Sequence, residues 1–276
     1  MKSKIIVILL LSLLSFSCSS TSLRKGEIKI KGSNTMFLLV QRLANEYMKE
    51  HYGVLINVEG GGTSLGINAL IENEVDICNA SRNLESEEIK LIANRFGTVG
   101  VSTFIARDGI GIFVNKNNPL INLSMENLKN IYLGKIKNWS EISGIDQNIL
   151  PVARDDFSGT TAHFRTRVLG EQNFSNSVVV ESNLKELFNK IEENKNAIGF
   201  GGLGYKSDCK LISIDGIYPT EENIENMSYP LSRYLHFYTI SSPTGMIKDF
   251  IDWVLGQKGQ KIISEFGFVS LYNFSY

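Results

Sequence analysis

The stretch Glu27-Ile28-Lys29-Ile30-Lys31 alternates charged and apolar side chains, the period-two pattern of a strand with one buried face. Gly32-Ser33-Asn34-Thr35 breaks that pattern, and Phe37, Val40, Leu43, Ala44 and Tyr47 return at helical spacing. The same succession of strand, small polar turn and helix recurs twice. Val54 to Val58 leads through Gly60-Gly61-Gly62-Thr63-Ser64 to Ile67, Leu70 and Ile71. Leu150 to Ala153 leads through Arg154-Asp155-Asp156-Phe157-Ser158-Gly159-Thr160-Thr161 to a helix carrying Phe164, Val168 and Leu169. Strands that alternate with helices in this way predict an α/β fold.

The N-terminal run from Ile5 to Leu14 follows Lys2 and Lys4 and covers only half of the ~20 apolar residues needed to cross a bilayer. It reads as a secretory signal peptide over residues 1–18. Leu14-Ser15-Phe16-Ser17-Cys18 resembles a loose lipobox, with Ser15 where leucine is usual. That resemblance implies lipid on Cys18 and an acyl anchor for an extracytoplasmic domain, with Ser19 to Gly26 as a flexible tether. The rest of the chain has room for one large or two modest domains. Lys and Arg number 28 against 29 Asp and Glu, a formal charge of −1, and no basic tract is present. Nucleic acid and anionic membrane surfaces are therefore poor partners. Cys78 and Cys209 allow one disulfide in an oxidising compartment, although both read as strand or strand-end residues.

The chemistry lies in the three turns. A helix N-terminus exposes unpaired N–H groups at the positive end of the helix dipole, and glycine lets an anion approach the backbone. For any single turn, helix capping by Ser or Thr explains the residues as well. Three such turns, with Arg154 directly before one of them, point instead to a shared oxyanion site, because a guanidinium offers two parallel donors to a tetrahedral anion. These residues specify an anion rather than phosphate.

Enzymatic readings find little support. His51, His163 and His236 are the only histidines, and none has metal-ligand spacing with another His or Cys. Phe157-Ser158-Gly159-Thr160 lacks the glycine two places before the serine that a nucleophile elbow uses, and His163 reads as a packing or surface residue. No metal or other cofactor is expected.

Taken in order, Gly32 to Thr35, Gly60 to Ile67, Val75-Asp76-Ile77 with Ser81-Arg82, Ile131 to Trp139, Arg154 to Thr160, Ala197 to Phe200, Asp215-Gly216, Tyr229-Pro230-Leu231 and the terminal helix around Phe250 to Phe266 resemble the phosphate-binding proteins of phosphate ABC importers. The resemblance implies a two-lobed type II periplasmic-binding-protein fold with the ligand in the cleft between lobes. Lobe 1 would comprise 27–107 and 233–276 and lobe 2 108–232, with crossings near Ile105 to Gly109 and Leu231 to Leu235. It also implies a monomer that captures inorganic phosphate and hands it to the permease subunits of an ABC importer. An oxyanion-sensing receptor or a surface adhesin would use the same fold.

By motif position the hydroxyls of Thr35, Thr63, Ser81, Ser158 and Thr160, the backbone N–H groups of Met36 and Gly159, and Arg154 would hold the anion. Asp156 would orient the arginine. Better-known members carry an acid at the position of Ser81, where it accepts the phosphate proton. With serine there, Asp156 or a backbone carbonyl between Gly32 and Met36 becomes the expected acceptor. Arg82 would either face the ligand, shifting preference toward the dianion, or pair with Asp76 or Glu85.

Overall fold

The computed structural model describes residues 26–170 and 172–272; the signal peptide, Cys18 and all of the tether except Gly26 lie outside them. The described residues form ten strands: β1 (Gly26–Gly32), β2 (Val54–Glu59), β3 (Ile77–Ala80), β4 (Val101–Val114), β5 (Asn122–Leu123), β6 (Leu150–Arg154), β7 (Val179–Glu181), β8 (Ala197–Gly202), β9 (Lys210–Ile214) and β10 (Ser232–Thr239). Between them lie α1 (Phe37–Glu50), α2 (Thr63–Ile71), α3 (Ser86–Phe96), α4 (Met125–Tyr132), α5 (Ser140–Ser143), α6 (Gly159–Phe164), α7 (Leu184–Glu193), α8 (Glu221–Glu225), α9 (Gly245–Leu255) and α10 (Gln257–Glu265). The first strand starts one residue earlier than the alternation suggests, because Gly26 already pairs with Val54.

The strand order is β2-β1-β3-β10-β4-β8-β6-β7. Parallel pairs β1–β2, β1–β3, β6–β7 and β6–β8 come from the strand-turn-helix units, whose helices supply the crossovers. The long strand β4 joins two regions. Its first part, Val101 to Gly109, pairs antiparallel with β10, and its second, Ile110 to Val114, pairs with β8.

Each region has its own core. Ile28, Ile30, Leu43, Phe237, Phe250 and Val254 fill one side. Ile112, Tyr132, Trp139, Phe164 and Phe200 fill the other, with Phe164 stacked on Phe200 at 3.9 Å. The helix expected after Arg154 is split: α6 ends at Phe164 and a π-helical turn follows over Arg165–Leu169. A wider turn places residues four and five apart on one face, so that Phe164, Val168 and Leu169 are all buried. Cys78 is buried in β3 and Cys209 is half-buried ahead of β9; both are free thiols. Burial raises both pKa values, that of Cys209 to about 11.

His236 on β10 is 2 % exposed, with Nδ1 2.9 Å from Ser102 Oγ and 3.3 Å from Tyr238 Oη. Burial, helped by the charge of Arg233, lowers its pKa to about 4, and the same two causes lower that of His163 to about 3. Below the unfolded value of about 6.5 the denatured chain binds protons that the native chain refuses, so stability falls with pH through this window. For His236 the loss is on the order of 2 kcal/mol between pH 6.5 and 4.5. The urea midpoint should fall over that range, and the slope should be shallower in His236→Gln. An unchanged slope in the variant would rule out this histidine as a source.

Candidate anion-binding site

The three turns meet. Gly62 N–H donates to Gly32 O at 2.8 Å and Gly61 N–H to Asn34 Oδ1 at 2.8 Å, which joins the first turn to the second. Gly32, with φ +154°, lies so close to the Asn79 carbonyl that a side chain would overlap it. The third turn reaches the other two across the cleft. Thr160 Oγ1 lies 3.0 Å from Thr35 Oγ1, and Ser64 N–H donates to Phe157 O at 3.4 Å.

Capping accounts for one of the candidate hydroxyls and leaves the others unexplained. Neither α1 nor α2 has a side-chain cap. Thr63 Oγ1, fully buried, accepts from Ser81 N–H at 3.2 Å and lies 3.3 Å from Ser81 Oγ. At α6 the local reading holds: Ser158 Oγ accepts from Thr161 N–H at 3.3 Å as an N-cap, though its own proton remains to be donated. Gly159 and Thr160 open that helix, both buried. Met36 N–H donates to Ser33 O at 3.2 Å, so this expected ligand donor already has a partner within its own turn.

Three arginines are buried here, and they differ in their partners. Arg82 makes a two-point pair with Glu88 at 2.7 and 2.8 Å, donates to Ser64 Oγ at 3.1 Å, and has Glu85 at 3.5 Å. Of the two expectations for Arg82 the structural ion pair is the one formed, to Glu85 as expected and more closely to Glu88, which was not; Asp76 instead accepts from Lys29 N–H. Arg233 forms a fork onto Asp108 Oδ2, at 2.7 Å from Nη2 and 3.0 Å from Nε. Burial raises the Asp108 pKa, and the charge of Arg233 opposes it.

Arg154 is 3 % exposed, and its Nε and Nη2 have no hydrogen-bond partner. Its nearest carboxylate is Asp155, with Oδ1 3.7 Å from Nη2. Burial lowers the Arg154 pKa, and Asp155 opposes that shift. Asp156 does not orient this arginine; it is exposed and pairs with Arg165. In a turn with two consecutive aspartates the backbone path decides which one faces inward, and here it is Asp155. An arginine with idle donors, removed from water at the head of the third turn, is poised for an anion, because leaving such a group buried and unmatched is costly.

Asp108 and Arg233 were not anticipated. Their signal was present: Asp108, next to Arg107, is the one acid between Ile105 and Val114, and Arg233 is the one arginine between Leu231 and Phe237, at the two expected crossings. Among the described residues no group of three or more His, Cys, Asp and Glu side chains could hold a metal ion. No helix there is long and apolar enough to cross a membrane.

A family model described as the PBP superfamily domain matches residues 19–258. The phosphate-binding protein PstS of Bacillus subtilis is 32 % identical over 253 residues, covering 88 % of this chain and 80 % of that protein. The chain belongs to the phosphate-binding proteins of this superfamily. PstS of Borreliella burgdorferi is 29 % identical over 98 % of this chain and 99 % of its own. A putative phosphate ABC transporter substrate-binding protein of Clostridium perfringens, solved with bound phosphate, superposes with a TM-score of 0.81 at 30 % identity, covering 89 % of this chain and 100 % of that one. An ABC-type phosphate transport receptor from Vibrio cholerae gives 0.75 at 29 % identity, covering 88 % and 99 %. The architecture described above is the two-lobed type II fold of these relatives.

Proposed function

We propose that this protein is a lipid-anchored, extracytoplasmic solute-binding protein that captures inorganic phosphate between its lobes and delivers it to the permease subunits of an ABC importer. The observation that carries the reading is Arg154, a buried guanidinium with two idle donors at the head of the turn whose Thr160 hydroxyl meets that of Thr35. Lobe 1 would be 27–107 with 233–276 and lobe 2 108–232, a division supported by the separate cores and the change of partner along β4. Closure about β4 and β10 brings the hydroxyls of both lobes and the Gly159 N–H onto the anion. The chemistry of this reading is binding alone, as in the phosphate-binding relatives.

Discrimination against sulfate needs an acceptor for the phosphate proton. Asp156 is exposed, and the carbonyls of Gly32, Ser33, Asn34 and Met36 already accept hydrogen bonds. Asp155 Oδ1, buried and without a hydrogen-bond partner beside Arg154, is the acceptor of this proposal. Calorimetric titration should give phosphate binding that equimolar sulfate does not displace, and Asp155→Asn should let sulfate compete. Strong sulfate competition in the unaltered protein would reduce the site to a general oxyanion pocket.

The anchor is tested separately. Cys18→Ser should move the protein from the detergent phase to the aqueous phase, because acyl chains would supply the whole attachment. Partitioning unaffected by the substitution would remove the lipid from the proposal.

A further inference from the structure

Arg233 and Asp108 sit directly opposite each other in the β10–β4 ladder, at the place where both strands pass between the two cores. Their side chains are 1 % and 0 % exposed. Asp108 Oδ2 takes Nε and Nη2 of the guanidinium and holds its plane, while Asp108 Oδ1 accepts from Leu203 N–H at 3.4 Å. The remaining nitrogen, Nη1, is thereby aimed away from the strands and into the cluster of turns. It donates to Ser81 O at 3.1 Å on the β1–β3 side and to Thr160 Oγ1 at 3.0 Å on the β6 side. A single side chain rooted in the crossing strands thus holds a ligand-facing residue from each lobe.

The bond to Thr160 has a chemical consequence. A hydroxyl has one proton and two lone pairs, and an arginine can only donate. With Nη1 donating to Thr160 Oγ1, the threonine proton is directed elsewhere, toward Thr35 Oγ1 or an anion in the cleft. Without Arg233 that hydroxyl could rotate and present a lone pair to the anion.

We infer that Arg233, clamped by Asp108, is a positioning residue of the anion site, holding the Thr160 hydroxyl as a donor and tying both lobes of the closed arrangement to the crossing strands. This rests on the phosphate-binding reading above, and Arg233 takes the place as second arginine of the site that Arg82, matched by Glu88, does not fill.

The test is a pair of double-mutant cycles read by phosphate calorimetry. Arg233→Met should weaken binding at least tenfold in the otherwise unaltered protein. In a Thr160→Val background the same substitution should cost less than threefold, since the hydroxyl it orients is gone. In a Thr63→Val background, where the lost hydroxyl has no bond to Arg233, the tenfold loss should persist. A general structural role would weaken binding equally in both backgrounds, and that result would overturn the inference, as would Arg233→Met binding within threefold of the unaltered protein. If Arg233→Met leaves Asp108 unmatched and the chain does not fold, Arg233→Met with Asp108→Leu runs the same cycles and is judged by the same limits. Unaltered protein that binds no phosphate would sink the parent reading and this inference together, whereas phosphate binding without the selective coupling sinks this one alone.

Discussion

Arg154→Ala is expected to abolish measurable phosphate binding while leaving the thermal midpoint of the protein close to its original value. Arg154 leaves both Nε and Nη2 idle, where Arg82 leaves Nε alone and Arg233 uses every nitrogen, so alanine at Arg154 removes charge-assisted bonds to the ligand and few within the fold. Losing a buried charge-assisted pair costs a few kcal/mol, which corresponds to an affinity loss of about a thousandfold. Arg82→Ala should behave in the opposite sense. It leaves the half-buried Glu88 against an empty position and should lower the melting temperature clearly. Calorimetry with Arg154→Ala binding within about threefold of the parent would remove the arginine from the site.

Much of this arrangement can be read from the chain, because it depends on short-range pattern. The change from period two to helical spacing locates each strand-turn-helix unit, and small polar residues at the break locate the turns that converge. What escapes is whatever depends on the path of the backbone or on distant pairing. Asp155 and Asp156 are chemically equivalent neighbours, and only the turn geometry sends one to Arg154 and the other to Arg165. Glu88 is six residues from Arg82, outside the three- and four-residue spacings of a helix face. The two meet because Glu88 folds back onto the Glu85 N–H in a capping box at the start of α3. Asp108 and Arg233 are 125 residues apart and become neighbours only when β4 lies beside β10. The role expected of Met36 N–H fails for a similar reason, since the turn closes on itself and uses that donor.

The closeness of the turns leads to a second large effect, Gly159→Ala. The backbone of Gly159 is open to any residue, and the first turn of a helix tolerates alanine well, so the lobe that carries it should fold as before. The obstacle lies across the cleft. An added methyl group at Gly159 would overlap Thr63 Oγ1 and stand 2.6 Å from Ser81 Oγ, both of which fall in the opposite lobe of the division proposed above. Close-packed interiors absorb such an overlap only by moving, and here the movement available is separation of the lobes. The variant should keep its urea midpoint but lose phosphate affinity by roughly a hundredfold, about 2.7 kcal/mol. Small-angle X-ray scattering should record no decrease in its radius of gyration when phosphate is added, in contrast to the parent. Gly62→Ala cannot make the same distinction, because Gly62, at φ +123°, would also be strained within its own turn. Normal closure and affinity in Gly159→Ala would mean that the ligand-bound lobes meet less closely than the present contacts of Thr63, Ser81 and Gly159 imply.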